Sequence, residues 1–471
     1  MKKKKFNLKK IIFVVSLIII IVLVLLLFEK LLGNDDKILF DIGTSKRSAK
    51  EISELYSDNY NKPTILKGSI INKSGTYELN GNYECVRINT KMNVNLILNN
   101  ANIVCDSGPG IYVENAKTLH VILKGGNNII SKTNVDLEGA IYSKDDLVFS
   151  GDGSLNINSN YEGIVSNDNL VIKSGNYYIK SLDDGIKGKD VVAIVDGYFK
   201  IDSNGDGIKS TNSQNNGKGY ITINNGTFDI NSVLDGLQAE TDVVINNGTF
   251  KIKTSNTTEE SSKAIKANNL IEINNGTFDI NSSDDGLNTD GNMKIDSGNF
   301  NIISGDEGVN VAGLFINKGN ISINSKDGIK SSYFKMDSGT IAILAKDEGI
   351  TTVKKIKKYN STFEMNGGNI VVRMGAGSSA GIACPGNFIV HNGIIDVSGD
   401  LPFELTGTVT GDGGTIISNG RNIENISSLA PRKKSGNNNN KQNDSTVNSS
   451  SQNSDSNRES KRNRSEQKKD Q

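Results

Sequence analysis

The chain has 471 residues, with 49 glycines, five prolines, no tryptophan and 35 % hydrophobic residues, a composition that excludes one large compact core. Residues 1–30 hold seven lysines against one glutamate, and residues 431–471 hold ten basic against five acidic side chains. With a formal net charge of zero, the stretch between them carries −11. An acidic body between basic ends excludes a folded nucleic-acid-binding surface; it suits cations, or substrates bridged by cations.

In chain order, Lys2 to Lys5, Lys9 and Lys10 precede an apolar run from Ile11 to Phe28, broken only by Ser16. Its length just suffices to span a bilayer, and the lysines predict a cytoplasmic N-terminus (residues 1–10) with everything after Phe28 outside. A cleaved signal peptide is the competing reading. Glu29-Lys30-Leu31-Leu32 offers no small-residue cleavage site, which favours an uncleaved signal anchor over residues 11–28. Residues 29–64 are polar and weakly patterned and read as a stalk with one short helix. The three cysteines, Cys85, Cys105 and Cys384, imply no disulfide framework. Cys85 and Cys105 lie about one repeat apart, as buried thiols or as one disulfide.

From Ile65 to about residue 428 an internal repeat dominates. A small residue, then a β-branched residue or Leu, then a variable residue recurs at steps of 20 to 32 residues clustering near 22. Examples are Gly163-Ile164-Val165, Gly185-Ile186-Lys187, Gly207-Ile208-Lys209, Gly236-Leu237-Gln238 and Gly286-Leu287-Asn288. Out of phase with it come Asn225-Gly226-Thr227-Phe228, Asn247-Gly248-Thr249-Phe250 and Asn275-Gly276-Thr277-Phe278, flanked by runs of period-two alternation. Alternation bounded by Asn-Gly predicts strand, turn, strand. A stack of hairpins would also use such turns but gives no reason for a sustained 22-residue period. Coiling does, so the expected fold is all-β, a right-handed single-stranded parallel β-helix. It would have roughly sixteen coils in a rod of about 75–80 Å. Ile186, Ile208, Leu237 and Ile265 are expected to form one inner ladder, and Phe228, Phe250, Phe278 and Phe300 another. The less regular coils from Ile70 to Leu123 would cap the stack. The Asn-x-Thr matches at the turns read as structural rather than as glycosylation sites.

The residue before the corner glycine carries most of the chemistry. It reads Glu138 (one further residue back), Glu162, Asp184, Asp206, Asp235, Asp285, Glu307, Asp327 and Glu348. It is doubled by Asp183, Asp284, Asp306 and Asp347. Asp-Gly is a favoured turn pair, which explains single aspartates. It does not explain the doubled acids, nor why Asn is missing there. A line of carboxylates is an oxygen-rich environment suited to Ca²⁺, so Asp183, Asp184, Asp206, Asp235, Asp284, Asp285, Asp306, Glu307, Asp327, Asp347 and Glu348 are the candidate metal ligands, with calcium the expected cofactor. The nonapeptide calcium motif is absent.

Two residues after the glycine runs a second outward stripe: Lys187, Lys209, Gln238, Lys266, Asn288, Asn310 and Lys330. Its members either neutralise the acids or hydrogen-bond sugar hydroxyls and carboxylates; Lys187, Lys209, Lys266, Lys330, Asn288 and Asn310 are the candidate carbohydrate-binding residues. Without Trp the chain lacks the commonest flat sugar platform, though Tyr112 and Tyr142 occupy equivalent corners. His120 and His391 lie far apart in the repeat, which argues against a histidine-based triad or zinc site. Gly377-Ser378-Ser379-Ala380-Gly381 matches a nucleophile-elbow pattern only formally. Residues 429–471 are too polar to bury surface and read as a disordered basic tail, solvated or lying on an anionic envelope polymer.

Ala140-Ile141-Tyr142-Ser143-Lys144-Asp145-Asp146-Leu147, with the Asp-Gly-Ile-Lys corners and the Asn-Gly-Thr-Phe turns, resembles the clostridial carbohydrate-binding β-helix proteins. The resemblance runs from about Ile65 to Ser398. It implies a polysaccharide-lyase-like fold and calcium-associated binding of cellulose or acidic, pectin-type polymers, and it does not interpret the anchor or the tail. The expected function is therefore a membrane-anchored surface binder of polysaccharide. The alternatives are a calcium-dependent polysaccharide lyase using Lys187, Lys209, Lys266 or Lys330 as base, and a structural adhesin or spacer. Adjacent carboxylates would keep those lysines charged, which works against a lyase.

Overall fold

The computed structural model describes residues 46–132, 139–215, 217–255 and 261–430. The apolar run 11–28, Glu138 and the basic tail lie outside them. Among the described residues no helix is long and apolar enough to cross a membrane.

Strand follows strand from Thr64 to Asn422, and nearly every strand pairs in parallel with its counterpart one coil away. Among the described residues the single antiparallel pair is Thr415–Ser418 with Arg421–Asn422, at the last coil. The chain is thus a parallel β-helix, and the hairpin stack is ruled out. Each coil turns through three sheets. Sheet A holds six-residue strands such as Tyr198–Ser203, Thr227–Ser232, Thr249–Thr254 and Thr277–Ser282. Sheet B holds short strands such as Ile186–Gly188, Ile208–Ser210 and Leu237–Ala239. Sheet C holds Val191–Ile194, Tyr220–Ile223 and Asp242–Ile245.

Alternation in sheet A puts one residue set inside and the other in solvent. Phe199, Phe228, Phe250, Phe278 and Phe300 pair in register down the interior. Their rings stack at centroid spacings of 4.6 to 4.8 Å. Ile186, Ile208, Leu237 and Ile265 stack in the same way within sheet B. Both expected ladders are present. The turn glycines between sheets C and A sit at φ near +139° at Gly226 and Gly248, a conformation that a side chain resists.

Sheet C departs from alternation, because stretches such as Val191–Ile194 are buried on both faces. The N-terminal segment explains it. The helix Ala49–Ser53, capped by Ser48 and Glu51, sets Ala49 and Ile52 on Val148, Val171, Val191 and Ala193. The segment is pinned by Tyr56 Oη donating to Asp146 (2.8 Å), by Lys173 with Asp58 (2.7 Å) and by Lys46 with Asp242 (3.3 Å). From Lys46 onward the expected stalk is therefore a strap on the flank of the solenoid. Farther along, Tyr359 covers Ala312 and Phe315 in the same way.

The cysteine question resolves as one disulfide, Cys85–Cys105, closing a separation of 20 residues, with Cys384 a buried thiol. A loop of that length predicts that reduction costs the first coils about 3 kcal/mol. Urea unfolding with and without reductant should show an earlier loss of N-terminal structure; coincident curves would contradict this.

Candidate functional site

The corner from sheet A to sheet B gathers the acids into one row. Gly163 N–H donates to Asp184 O (2.9 Å), Gly185 to Asp206 (2.8 Å) and Gly207 to Asp235 (2.9 Å). Gly286 donates to Glu307 (2.9 Å) and Gly328 to Glu348 (2.8 Å). Gly236 N–H, however, donates to Lys263 O (2.9 Å). Lys263 therefore holds the acid position in that coil and divides the row in two, which the corner pattern alone does not reveal.

Most of these carboxylates are enclosed: Glu162 is 0 % exposed, Asp285 2 %, and Asp184, Asp206 and Asp235 3 % each. A buried carboxylate needs partners. One oxygen of each aspartate caps the backbone of the next coil. Asp184 Oδ1 accepts from Asp206 N–H (2.9 Å), Asp206 Oδ1 from Asp235 N–H (2.8 Å) and Asp235 Oδ1 from Lys263 N–H (2.7 Å). Asp285 Oδ1 accepts from Glu307 N–H (3.2 Å) and Asp327 Oδ1 from Glu348 N–H (3.0 Å). This bond gives the row a structural reason of its own.

The second stripe also stacks in register, from Lys187 through Lys209, Gln238, Lys266, Asn288 and Asn310 to Lys330. In the first half its lysines turn back onto the acids. Lys187 pairs with Glu162 and lies 3.7 Å from Asp184. Lys209 lies 2.6 Å from Asp206 and 3.5 Å from Asp184, and Lys266 lies 3.5 Å from Asp235. Burial raises Glu162, whose Oε2 finds no hydrogen-bond partner. Burial likewise raises Asp183, with Asp184 adding to it.

The second half is different. Asn288 and Asn310 replace lysine, and both amides donate to Asp285 Oδ2, at 2.6 and 3.1 Å. Asp284, Asp285 and Asp306 each offer an oxygen, and these lie within 4.8 Å of one another. Lys263 pairs with Asp284, Lys326 with Asp306 (2.8 Å) and Lys330 with Glu307 (2.8 Å). Burial raises Asp285, and the neighbouring Glu307 carboxyl adds to it. Burial would raise Glu307 as well, but hydrogen bonds from Asp285 and Lys330 outweigh it and hold Glu307 low, at about 2. Farther along, burial raises Asp327, Asp347 accepts from Ser379 Oγ (2.7 Å) and Glu348 from Thr351 Oγ1 (2.7 Å). The candidate residues thus form one line, and within it Asp284, Asp285 and Asp306 converge on a single point.

A family model described as "Carbohydrate-binding domain-containing protein" matches residues 67–308, just over half of the chain and all of the corner from Glu162 to Glu307. The chain belongs to that family. Among solved structures, this member of the carbohydrate-binding family is similar to the polysaccharide lyase-like protein from Clostridium thermocellum, determined as a gadolinium derivative. Identity is 26 %, covering 46 % of this chain and 91 % of that one, with a TM-score of 0.41. No curated protein matches the chain.

For a lyase the family member would need an uncharged lysine as base. Burial would lower Lys187 and Lys209, but Glu162 and Asp206 respectively outweigh it and both are raised; the hydrogen bond that Lys330 donates to Glu307 raises Lys330. Lys355, missed from the sequence because it lies in a loop outside the repeat, donates to Asn310 and is lowered by desolvation and by Lys330. Its side chain is exposed, so water screens that push.

Burial lifts Asp206 to about 6. An unfolded aspartate releases its proton near pH 4. Between those values the native state binds more protons, so this group adds stability as the pH falls from about 6 to 4, by up to about 3 kcal/mol. His120, lowered by burial to about 4, works in the opposite sense. Melting curves in chelator should show the acid-side gain for the native chain and its loss in Asp206→Asn. Parallel pH profiles would contradict this.

Proposed function

We propose that the chain is a non-catalytic, membrane-tethered surface protein that binds an acidic polysaccharide through calcium held on the acidic corner. The observation that carries the reading is the convergence of Asp284, Asp285 and Asp306 where asparagine replaces the lysines of the stripe. Three carboxylates supply the hard oxygen donors that calcium prefers, and Asn288 and Asn310 add amide oxygens once their side chains rotate. The donor set fits calcium better than zinc, because neither histidine nor cysteine belongs to it. A bound calcium would supply positive charge to which a uronate carboxylate can also attach. Lys330, Asn310 and Lys355 flank the site and can meet the polymer's hydroxyl and carboxylate groups.

The tether is the run Ile11–Phe28, with the solenoid outside and wound with the right-handed crossover usual for parallel strands. The disulfide supports an exported location, since such bonds persist in oxidising compartments. The basic tail would lie along an anionic envelope polymer.

The test is co-sedimentation of the full-length protein with insoluble polygalacturonate, in calcium and in chelator, with the supernatant monitored for unsaturated sugar. Retention in calcium, release by chelator and no unsaturated product are expected. Unsaturated product would make the protein a lyase. Absence of retention in both conditions would leave a structural spacer.

A further inference from the structure

The corner between sheets C and A, on the other side of sheet A from the acids, carries a different surface. Three depressions run along it. The first, of about 730 Å³, lies over Gly151, Gly175 and Gly197 with Tyr60 and Tyr198 in its walls. The second, of about 380 Å³, lies over the Asn-Gly-Thr turns and shares Asp196 with the first. The third, of about 590 Å³, shares Thr277 and Asn299 with the second but moves off the corner onto the adjoining outer face of sheet A, ending at Thr340 and Ala342. The three follow one another along the axis as one interrupted trough, each sharing lining residues with the next. From Gly151 to Gly339 nine positive-φ turn glycines mark successive coils, eight spacings or roughly 40 Å at the distance between paired strands.

The floor is bare for a structural reason. A Cβ at Gly226 would meet the Phe228 ring at 2.9 Å and Gly197 O at 3.1 Å, so the stacked rings beneath require glycine above them. The walls are not explained that way. Asn247 and Asn275 are exposed, Asn225 is half-buried, and the three form an amide ladder. Asn225 Nδ2 donates to Asp196 (3.3 Å), Asn247 to Asn225 (3.2 Å) and Asn275 to Asn247 (3.3 Å). Each primary amide carries two N–H groups and two lone pairs, and the ladder uses only part of them. These three coils therefore each present a spare donor and acceptor, with the hydroxyls of Thr227, Thr249 and Thr277 beside them.

At one end the trough has aromatic walls. Tyr60, on the segment that continues from the strap, is 41 % exposed. Tyr198 lines the same depression, and its ring lies 5.7 Å from that of Tyr178, itself 40 % exposed. Aromatic faces beside a row of hydroxyls and amides match a pyranose chain, which offers C–H faces and a regular series of hydroxyl groups. The charge pattern selects among such chains. The charged residues lining the trough are Lys124, Asp152, Asp196 and Asp279, an acidic excess with one cation at one end. A polyuronate would meet like charges at these three aspartates; a neutral chain would not.

We propose that this edge is a second binding site, one that takes a neutral polysaccharide laid along the solenoid axis, with Tyr60 and Tyr198 gripping it at one end. The inference rests on the carbohydrate-binding reading of the family but not on calcium or on the acidic corner. The two edges would let one solenoid hold two chemically different chains on opposite borders of sheet A.

The experiment uses the full-length protein in a polyoxyethylene detergent, since a sugar-headed detergent would compete. Cellohexaose and a galacturonate hexamer are each titrated with and without chelator, followed by calorimetry and by tyrosine fluorescence, which no tryptophan masks. Cellohexaose should bind equally in calcium and in chelator. Tyr60→Ala and Tyr198→Ala should each weaken it by about tenfold. Tyr198→Phe should restore most of the affinity, and Asp285→Asn should leave it unchanged. Tyr60 is exposed, so its replacement reports on the site rather than on folding. Binding of the galacturonate hexamer alone would overturn this proposal and leave the acidic corner standing. Cellohexaose binding that ignores both tyrosine changes, or that Asp285→Asn abolishes, would overturn it as well. Failure of both sugars to bind would remove this proposal together with the carbohydrate reading.

Discussion

Phe250→Ala is expected to destabilise the solenoid by about 3–5 kcal/mol, the range for emptying a well-packed aromatic site. Phe250 is 1 % exposed and stacks on Phe228 at 4.6 Å and on Phe278 at 4.8 Å, with interplanar angles of 0° and 2°. Both neighbours belong to other coils, and their backbones are held at the spacing of paired strands. Neither ring can move in to fill the gap. In a solenoid each coil leans only on the coils next to it, so the damage should stay local and divide the stack into two weakly coupled halves. Urea unfolding should therefore change from one transition towards two, and Phe250→Leu should recover part of the loss. A loss under about 1 kcal/mol with one unbroken transition would show that the aromatic ladder fills space without coupling the coils.

Changing Asp284, Asp285 and Asp306 together to asparagine is expected to abolish calcium-dependent retention on polygalacturonate, a loss of at least about tenfold in affinity. Asparagine keeps the shape and the ability to accept Glu307 N–H at position 285, so the corner should still close. It removes all three carboxylates from the point where the oxygens converge. The matched control is Asp183, Asp184 and Asp206 to asparagine, in the half of the row that Lys187 and Lys209 already neutralise. That control should retain polymer binding. Equal losses in both variants would mean that general acidity, not the convergence, holds the polymer.

Much of the fold is legible in the sequence, because a solenoid repeats its constraints. The Ile186 and Phe228 ladders are visible since the coils repeat a β-branched residue or Leu after the corner and, from Tyr177 to Phe300, an aromatic after the turn. What interrupts the repeat is not legible. Lys263 replaces an acid in a coil that reads Ser262-Lys263-Ala264-Ile265, where the Asp-Gly pair that marks the other corners is missing. The strap is concealed because its helix spans only Ala49–Ser53 and takes its stability from tertiary burial. Its trace was present on the partner side, in the unbroken apolar run Val191-Val192-Ala193-Ile194, which a strand with one solvated face would not need. The acidic row was visible as residue types, but its division of labour was not. That one oxygen of Asp184 or Asp206 caps the following coil depends on the side-chain conformation at the corner. The trough at the Asn-Gly edge escaped for the opposite reason: its turns are so well explained by backbone geometry that a second use leaves no mark in composition.

The central claim is that calcium sits where Asp284, Asp285 and Asp306 meet. Its most direct test is a calorimetric titration of calcium into the full-length protein at neutral pH, beside the triple asparagine variant. Saturable calcium binding in the native chain that the variant lacks is the predicted result. No saturable binding, or identical isotherms for the two proteins, would contradict it.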